Sequence, residues 1–441
     1  MIKRILTTGL IVGFSFGAVQ AQQNDTLSLS VKEAEQYAVL HNYLLKNASL
    51  DVKKAEATKW YAISTMLPQV NGTLDYTNPL GYEMVMSMEV DNPITGGKIT
   101  NTMQIPVKPT SNLTIQAAIT VSGVQIMSAM LGKLAKEMTE TNYQKTEQNV
   151  KSQVRTIYFS ILAMENTVAL LTESVENLEK LKNIVQNAVD VGVSEQTDAD
   201  QLSVQVSSLQ NTLNSTQRSI EMLYNSLRLM LGTSAETNIS LSQRIDDVFN
   251  VENINKLLNE NFSLTNNLDY QLVEQNVELT KRQVHISEWA YGPTVSAFYQ
   301  YKEKLLKTSS FDMNPPHVIG LSVNVPIFSS GSKYAKVSEA KCTYKSALNT
   351  MDMLSDQLKI QDRQLRYNLR SNMENYETQR KNIEVSQRVF NNISNKYEQG
   401  YASSVDITNS NMNLITAQSN YIRATLELIT AQIELEKLLN K

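Results

Sequence analysis

From Asp406 onward, Ile407, Ser410, Leu414, Ala417, Tyr421, Ala424, Leu428, Ala431, Leu435 and Leu438 recur in steps of three and four. That is an unbroken heptad seam on one face of a helix. An earlier stretch, from Asp198, repeats it: Ala199, Leu202, Val206, Leu209, Leu213, Thr216, Ile220, Leu223, Leu227 and Met230. The two seams differ by a constant offset of 208 residues, which also relates Gly400 to Gly192, Asp406 to Asp198 and Gln418 to Gln210. A shared register over this length predicts an internal duplication of a helix–turn–helix whose turn carries a glycine.

The remaining pattern extends the duplication to whole halves. In the first, Ser30 to Met66 predicts a helix with Ser30 as N-cap, ended by Leu67-Pro68-Gln69. Val70 to Tyr76 predicts a short strand, and Thr77 to Ser111, with Gly96-Gly97 and several prolines, an irregular segment. Leu113, Ile115, Ala117, Ile119 and Val121 then alternate with small or polar residues, a strand with one apolar face. Val124 to Asp190 predicts one very long helix, broken at Gly192 and followed by a shorter helix from Thr197 to Leu231. The second half predicts a helix from Asn253 to Ala290 stopped by Gly292-Pro293, then a strand Thr294 to Lys302 and a loop Glu303 to His317. A strand carrying Ile319, Leu321, Val323, Val325 and Ile327 follows, then a long helix Lys333 to Glu398 and the final seam. The predicted organisation is a segment 1–21, a first repeat 22–232, a polar linker 233–252 and a second repeat 253–441.

Composition changes the picture in three ways. With 9 prolines and 15 glycines in 441 residues, the chain is built for long helices. Met1 to Ala21 has Lys3 and Arg4, an apolar run and a Val19-Gln20-Ala21 cleavage site, so it reads as a secretory signal; Gln22 follows the cut, with no cysteine to mark a lipid anchor. Removing Lys3 and Arg4 takes the net charge from −4 to −6, which disfavours a nucleic-acid partner. The sole cysteine, Cys342, reads as a small packing residue rather than a catalytic thiol. No segment after the signal has eighteen consecutive apolar residues, so a membrane crossing by this exported chain requires a β-barrel.

Four such two-faced strands suit a barrel wall better than a soluble sheet. Ten residues span only about 33 Å, too little to carry helices of this length. Four strands cannot close a barrel, and an open edge in lipid leaves backbone groups unpaired at several kcal/mol each. The smallest bacterial barrels have about eight strands, so copies of the chain must share the wall. Helices running on from those strands would continue it, paired through their heptad seams, with the glycine turns at the far end.

At this point the sequence resembles the TolC family of outer-membrane efflux and secretion ducts. The carrying residues are Val318-Ile319-Gly320-Leu321-Ser322-Val323-Asn324-Val325-Pro326-Ile327-Phe328 with Gly331, the run Tyr397-x-x-Gly400-x-x-Ser403-x-x-Asp406 with its Ala417-Gln418 helix, and Leu67-Pro68-Gln69-Val70. The resemblance implies an α+β membrane protein: four strands per protomer of a trimeric twelve-stranded barrel, plus a periplasmic α-helical coiled-coil tunnel. It implies an exit duct in the outer membrane, a homotrimer working with a periplasmic adaptor and an inner-membrane pump or ABC exporter, with no cofactor and no catalysis. By the same resemblance, Asp198, Tyr397, Asp406 and Asn409 fall at the periplasmic entrance. The family's arginine position falls on Ala402 and its second acidic position on Asn409, so an ion-pair lock would be altered, with Glu195, Asp200 and Tyr401 as substitutes. Asp198 and Asp406 equally suit plain helix-start carboxylates. Gly192, Val193, Ser194, Gly400, Tyr401, Ala402 and Ser403 form the expected adaptor-docking tips, and Leu113, Ile115, Ile119, Val121, Ile319, Leu321, Val323 and Val325 the expected lipid-facing set.

Other constellations are thin. Met84, Met86 and Met88 share a side if extended, which suits an apolar extension of the barrel rim better than a soft-metal site. His41, His285 and His317 lack ligand spacing, and no phosphate loop, paired carboxylate or nucleophile signature is present. The competing reading is a soluble periplasmic adaptor or scaffold with a helical hairpin, which would not need two copies of strand–loop–strand.

Overall fold

The computed structural model describes residues 26–91, 93, 96–244, 251–306 and 315–441; the signal segment 1–21 lies outside them. The element order is β1 (Leu27–Leu29), α1 (Val31–His41), α2 (Tyr43–Ser64), β2 (Gln69–Thr77), β3 (Glu83–Asp91), β4 (Lys98–Pro106), β5 (Thr110–Ser122), α3 (Gly123–Asp190), α4 (Gln196–Leu231), β6 (Ile239–Leu241), α5 (Val251–Leu258), α6 (Leu268–Trp289), β7 (Thr294–Lys304), β8 (His317–Asn324), α7 (Ser332–Glu398) and α8 (Ser404–Leu438). At 68 residues and about 1.5 Å per residue, α3 is roughly 100 Å long. Its partner in size, α7, has 67 residues. Contacts divide the chain into two compact units.

The first unit comprises Met1–Asn42, Gln153–Val251 and Glu374–Thr430. Ser30 caps α1 through a capping box: the Glu33 N–H donates to Ser30 Oγ, and the Ser30 N–H donates to Glu33 Oε2 at 2.8 Å. Within the polar linker, β6 pairs in parallel with β1, Leu27 opposite Ile239. The fully buried Tyr158 donates its hydroxyl hydrogen to the Leu29 carbonyl at 2.9 Å. The helix expected to run unbroken from Ser30 to Met66 stops at Asn42 and restarts at Tyr43. The cause is tertiary: Asn42 is buried, and its amide donates at 2.6 Å to the Met230 carbonyl in the last turn of α4. Just beyond, Gly232 takes a left-handed φ of +69°, and a Cβ there would lie 2.4 Å from the His41 carbonyl oxygen. Only glycine fits this C-cap.

The second unit comprises Tyr43–Ser152, Glu252–Met373 and Ala431–Lys441. It holds an antiparallel sheet in the order β2-β5-β7-β8 and a separate ribbon of β3 and β4. The ribbon overturns the expectation of an irregular segment over Thr77–Ser111; Gly96, at φ +69°, lies in the connection between its strands. The helix expected over Asn253–Ala290 is also interrupted. A short 3₁₀ turn, Leu264–Asn266, separates α5 from α6. Asn267 Oδ1 accepts from the N–H groups of Asp269 and Tyr270 at 3.0 and 3.1 Å, starting α6. Its amide donates to the Leu438 carbonyl at 3.1 Å. Arg366 ties the segment before it, donating from Nη1 to the Leu258 carbonyl at 2.7 Å and from Nη2 to the Glu260 carbonyl at 2.6 Å, while Asp362 accepts from its Nε at 2.9 Å. β7 runs two residues further than expected, to Lys304, and β8 ends at Asn324, before Val325 and Pro326.

The two seams are packed as their spacing predicts. Along α8, Ile407, Leu414, Ala417, Ala424, Leu428, Ala431, Leu435 and Leu438 are buried, and so are Thr408, Ile422, Ile429 and Ile433 off the seam. Along α4 the buried residues are Ala199, Leu202, Leu209, Leu213 and Leu227 of the seam, and Leu231 at its end. Val204, Met222 and Leu229, on the rest of α4, are 63–70% exposed.

Candidate functional site

The sheet separates side chains by strand alternation. Val70, Leu74 and Tyr76 on β2 lie on the same face as Ala117, Leu113 and Ser111 of β5, their register partners. Ile115 pairs with Tyr301, Ile119 with Ala297 and Val121 with Val295 of β7, which in turn pair with His317, Leu321 and Val323 of β8. On this face Ile319 and Leu321 are 85% and 72% exposed, and Ile115, Val121 and Val323 are exposed as well; Leu113 and Ile119 are half-buried. Val325, also exposed, lies one residue beyond β8. The opposite face carries Asn71, Thr73, Thr114, Gln116, Ser296, Gln300 and Ser322. Thr120 and Ser296, register partners there, hydrogen-bond at 3.0 Å. Phe298, like Val318, is an apolar residue on that polar face. It rests on Gly320, where a Cβ would come within 2.4 Å of its ring.

Aromatic side chains mark both ends of the apolar band. Toward the loop end Tyr299 and His317 hydrogen-bond at 2.7 Å, and the Tyr301 and His317 rings lie 5.0 Å apart. Toward the helices, Trp289 covers Gly123, where a Cβ would sit 2.2 Å from the indole, and remains half exposed beside Tyr291. Strands of 8 to 13 residues with an oily band between aromatic girdles match a bilayer-spanning wall. Each strand is antiparallel to its neighbour, and the outer strands β2 and β8 have a partner on one side only among the described residues. Among the described helices only α3 has a stretch, mean hydropathy 1.2, of the length and composition of a membrane span. Buried residues of the same helix, Val150, Val154, Ile161 and Leu162, show apolar content used in packing.

The hairpin turns in the first unit are built alike. Gly192 and Gly400 have φ of +80° and +77°. In the first turn the Val193 N–H donates to the Ala188 carbonyl and the Gly192 N–H to Val189; in the second, Tyr401 donates to Lys396 and Gly400 to Tyr397, all at 2.8–2.9 Å. Both are Schellman motifs, and every atom pair recurs at the 208-residue offset. Val193 and Tyr401 are 79% and 81% exposed. Ser194 and Ala402 are half-buried and Ser403 is exposed.

Of the expected entrance residues, the structure brings Asp198 and Tyr397 into one neighbourhood. Tyr397 packs against the core formed by Leu178, Leu181, Val185, Leu202 and Ile407; burial, and then the nearby Asp198 charge, push its phenol pKa up. Asp406 behaves differently. Its carboxylate accepts from the Ser403 hydroxyl at 2.7 Å and backbone N–H at 2.9 Å, and its own N–H donates back to Ser403 Oγ. These bonds, the hydroxyl first, hold the carboxyl below the usual range. Asp406 is therefore the third residue of a capping box, the helix-start role the sequence allowed. Asn409 lies exposed one turn on. What the sequence did not disclose is a cavity of about 230 Å³ lined by Leu181, Ile184, Phe390, Tyr397, Ile407 and Asn411. Among the described residues no cluster of His, Cys, Asp or Glu is arranged to hold a metal.

These features meet their counterpart in a family model. Residues 111–233 and 261–441 match the model of the outer membrane efflux protein family. The chain belongs to that family. No curated protein matches the sequence. Among solved structures, the fold is similar to the outer membrane protein VceC of Vibrio cholerae, at 15% identity and a TM-score of 0.72, covering 93% of this chain and 95% of that one. It is similar to the CmeC outer membrane channel of Campylobacter jejuni, at 16% identity and a TM-score of 0.75, covering 93% and 85%. The open-state MtrE channel of Neisseria gonorrhoeae matches at 15% identity and a TM-score of 0.74, covering 100% and 97%. As an outer membrane efflux protein of this fold, the chain forms a passive outer-membrane channel, its helices a tunnel in the periplasm, and not an enzyme.

Proposed function

We propose that this outer membrane efflux protein is the exit duct of a tripartite efflux or type I secretion assembly. Three copies close a twelve-stranded barrel by pairing β8 of one with β2 of the next. The observation that carries this is the four-stranded sheet with two open edges, since antiparallel alternation is preserved when an up strand, β2, follows a down strand, β8. Its apolar face, with Leu113, Ile115, Ile119, Val121, Ile319, Leu321 and Val323, and Val325 just beyond β8, meets lipid. The exposed Val204, Met222 and Leu229 of α4 meet a neighbouring copy. The repeats 22–232 and 253–441 supply equivalent halves of the wall. In support, Asn42 reaches Met230 and Asn267 reaches Leu438, and the two acceptors differ by the seam's own offset of 208.

The tips, Gly192 to Ser194 and Gly400 to Ser403, take the hairpin of a periplasmic adaptor, which links the duct to an inner-membrane pump or ABC exporter. Asp198, Tyr397, Asp406 and Asn409 ring the entrance. Reconstitution in a planar bilayer tests the entrance: the trimer should conduct with a cation preference that falls in Asp198→Asn and Asp406→Asn, and an unchanged preference would remove both from the constriction. Val193→Asp with Tyr401→Asp tests docking. Cells carrying this variant should lose efflux while the purified protein keeps its conductance; retained efflux would refute tip docking.

A further inference from the structure

The ribbon β3–β4 joins β2 to β5 at the end of the sheet away from the helices. Its register places Met84 opposite Ile105, Met86 opposite Met103 and Met88 opposite Asn101. One face therefore gathers Met84, Met86, Met88 and Met103, all 47–64% exposed. Four of the chain's 17 methionines thus stand on an 18-residue ribbon, in a concentration that apolar packing alone does not ask for, since Leu, Ile and Val serve that purpose with stiffer side chains. Glu83, Glu89 and Asp91 belong to the opposite face, where Lys98 pairs with Glu89 at 3.0 Å. Hard oxygen donors are thus turned away from the thioethers, apart from the Asn101 amide.

We propose that Met86 and Met103, with Met84 or Met88, bind a soft monovalent cation of the Cu(I)/Ag(I) class. Directly opposed residues have Cβ atoms about 5 Å apart, and diagonal neighbours about 7–8 Å. Alternate residues on one strand are separated by about 6.7 Å. The three Cβ atoms of such a set are therefore roughly 4 Å from a common point, close enough for three unbranched side chains to turn their sulfurs onto one ion above the ribbon. Thioether ligands select soft ions over Zn²⁺, Ca²⁺ or Mg²⁺ held by nitrogen and oxygen. Thioethers do not titrate, so binding is independent of pH across the range in which carboxylates and histidines change charge.

Native mass spectrometry and titration calorimetry of the detergent-solubilised full-length protein with silver nitrate test the site. In a Cys342→Ser background, which removes the exposed thiol that would itself take Ag⁺, the expected result is one Ag⁺ per chain, with equal affinity at about pH 5 and pH 8, on either side of the histidine range. In Met86→Leu/Met103→Leu, a volume-conserving change, that ion should be lost. Met353→Leu, which removes a lone exposed methionine of α7, should leave it in place. A double variant that binds Ag⁺ as the parent does, a parent that binds none, or an affinity that tracks pH would each overturn the proposal.

Discussion

Asn267 joins two helix ends with one side chain, and its removal has a calculable cost. Its Oδ1 caps α6 by accepting from Asp269 and Tyr270, and its Nδ2 satisfies the Leu438 carbonyl, one of the orphan acceptors at the end of α8. Losing an N-cap costs about 1 kcal/mol. Leaving a buried carbonyl without its donor costs about 1–3 kcal/mol more, and the residue is only 5% exposed. Asn267→Ala should therefore destabilise this junction by about 2–4 kcal/mol. Hydrogen exchange reads it locally: the Asp269 and Tyr270 amides should exchange at least about thirty-fold faster, at 1.4 kcal/mol per tenfold. Asn267→Ser separates the two bonds. Serine still caps α6 but cannot reach Leu438, so the α6 amides should stay protected while the last turn of α8 loosens. Exchange in Asn267→Ala that changes by less than about threefold would show that the junction rests on other contacts.

Two glycines with the same backbone should respond differently to alanine. Gly192→Ala meets open space and should cost only the left-handed strain, about 1–2 kcal/mol, whereas Gly232→Ala adds a clash with the His41 carbonyl and should lower the thermal midpoint of the purified protein considerably further; equal shifts would refute the close approach. Asp406 has a lowered folded pKa, so its capping contribution is complete above the ordinary aspartate value near about 3.9 and is lost as pH falls through the lower folded value. Pepsin cleavage at the second tip should accelerate only below about pH 4, and in Asp406→Asn that step should vanish; a step that persists would place the titrating group elsewhere. Ser403→Ala should loosen the same turn by about 1 kcal/mol at neutral pH, read by exchange of the Asp406 amide.

How far the sequence spoke depends on whether a feature is local. Ser30, the turn glycines and the heptad seams are local signals, and each sits in the structure where its spacing put it. Alternation in Leu113–Val121 and Ile319–Val323 likewise revealed the strands and their two faces. The breaks at Asn42 and before Asn267 were not legible, because no proline or glycine marks them. Their cause is a carbonyl 188 residues away in one case and 171 residues away in the other. The ribbon was hidden by the prolines and glycines around it. Met84, Met86 and Met88 did announce an extended face, but only register could bring Met103 opposite Met86. At the hairpin turns, the likeness of Asp198 and Asp406 in sequence concealed different surroundings, one beside Tyr397 and the other held in its own cap.

The mass of the complex extracted from outer membranes, measured under native conditions in detergent, bears most directly on the sharing of one barrel among copies. Three chains per particle is the result predicted, since four strands from each make twelve. A particle containing one chain, or two, would contradict it.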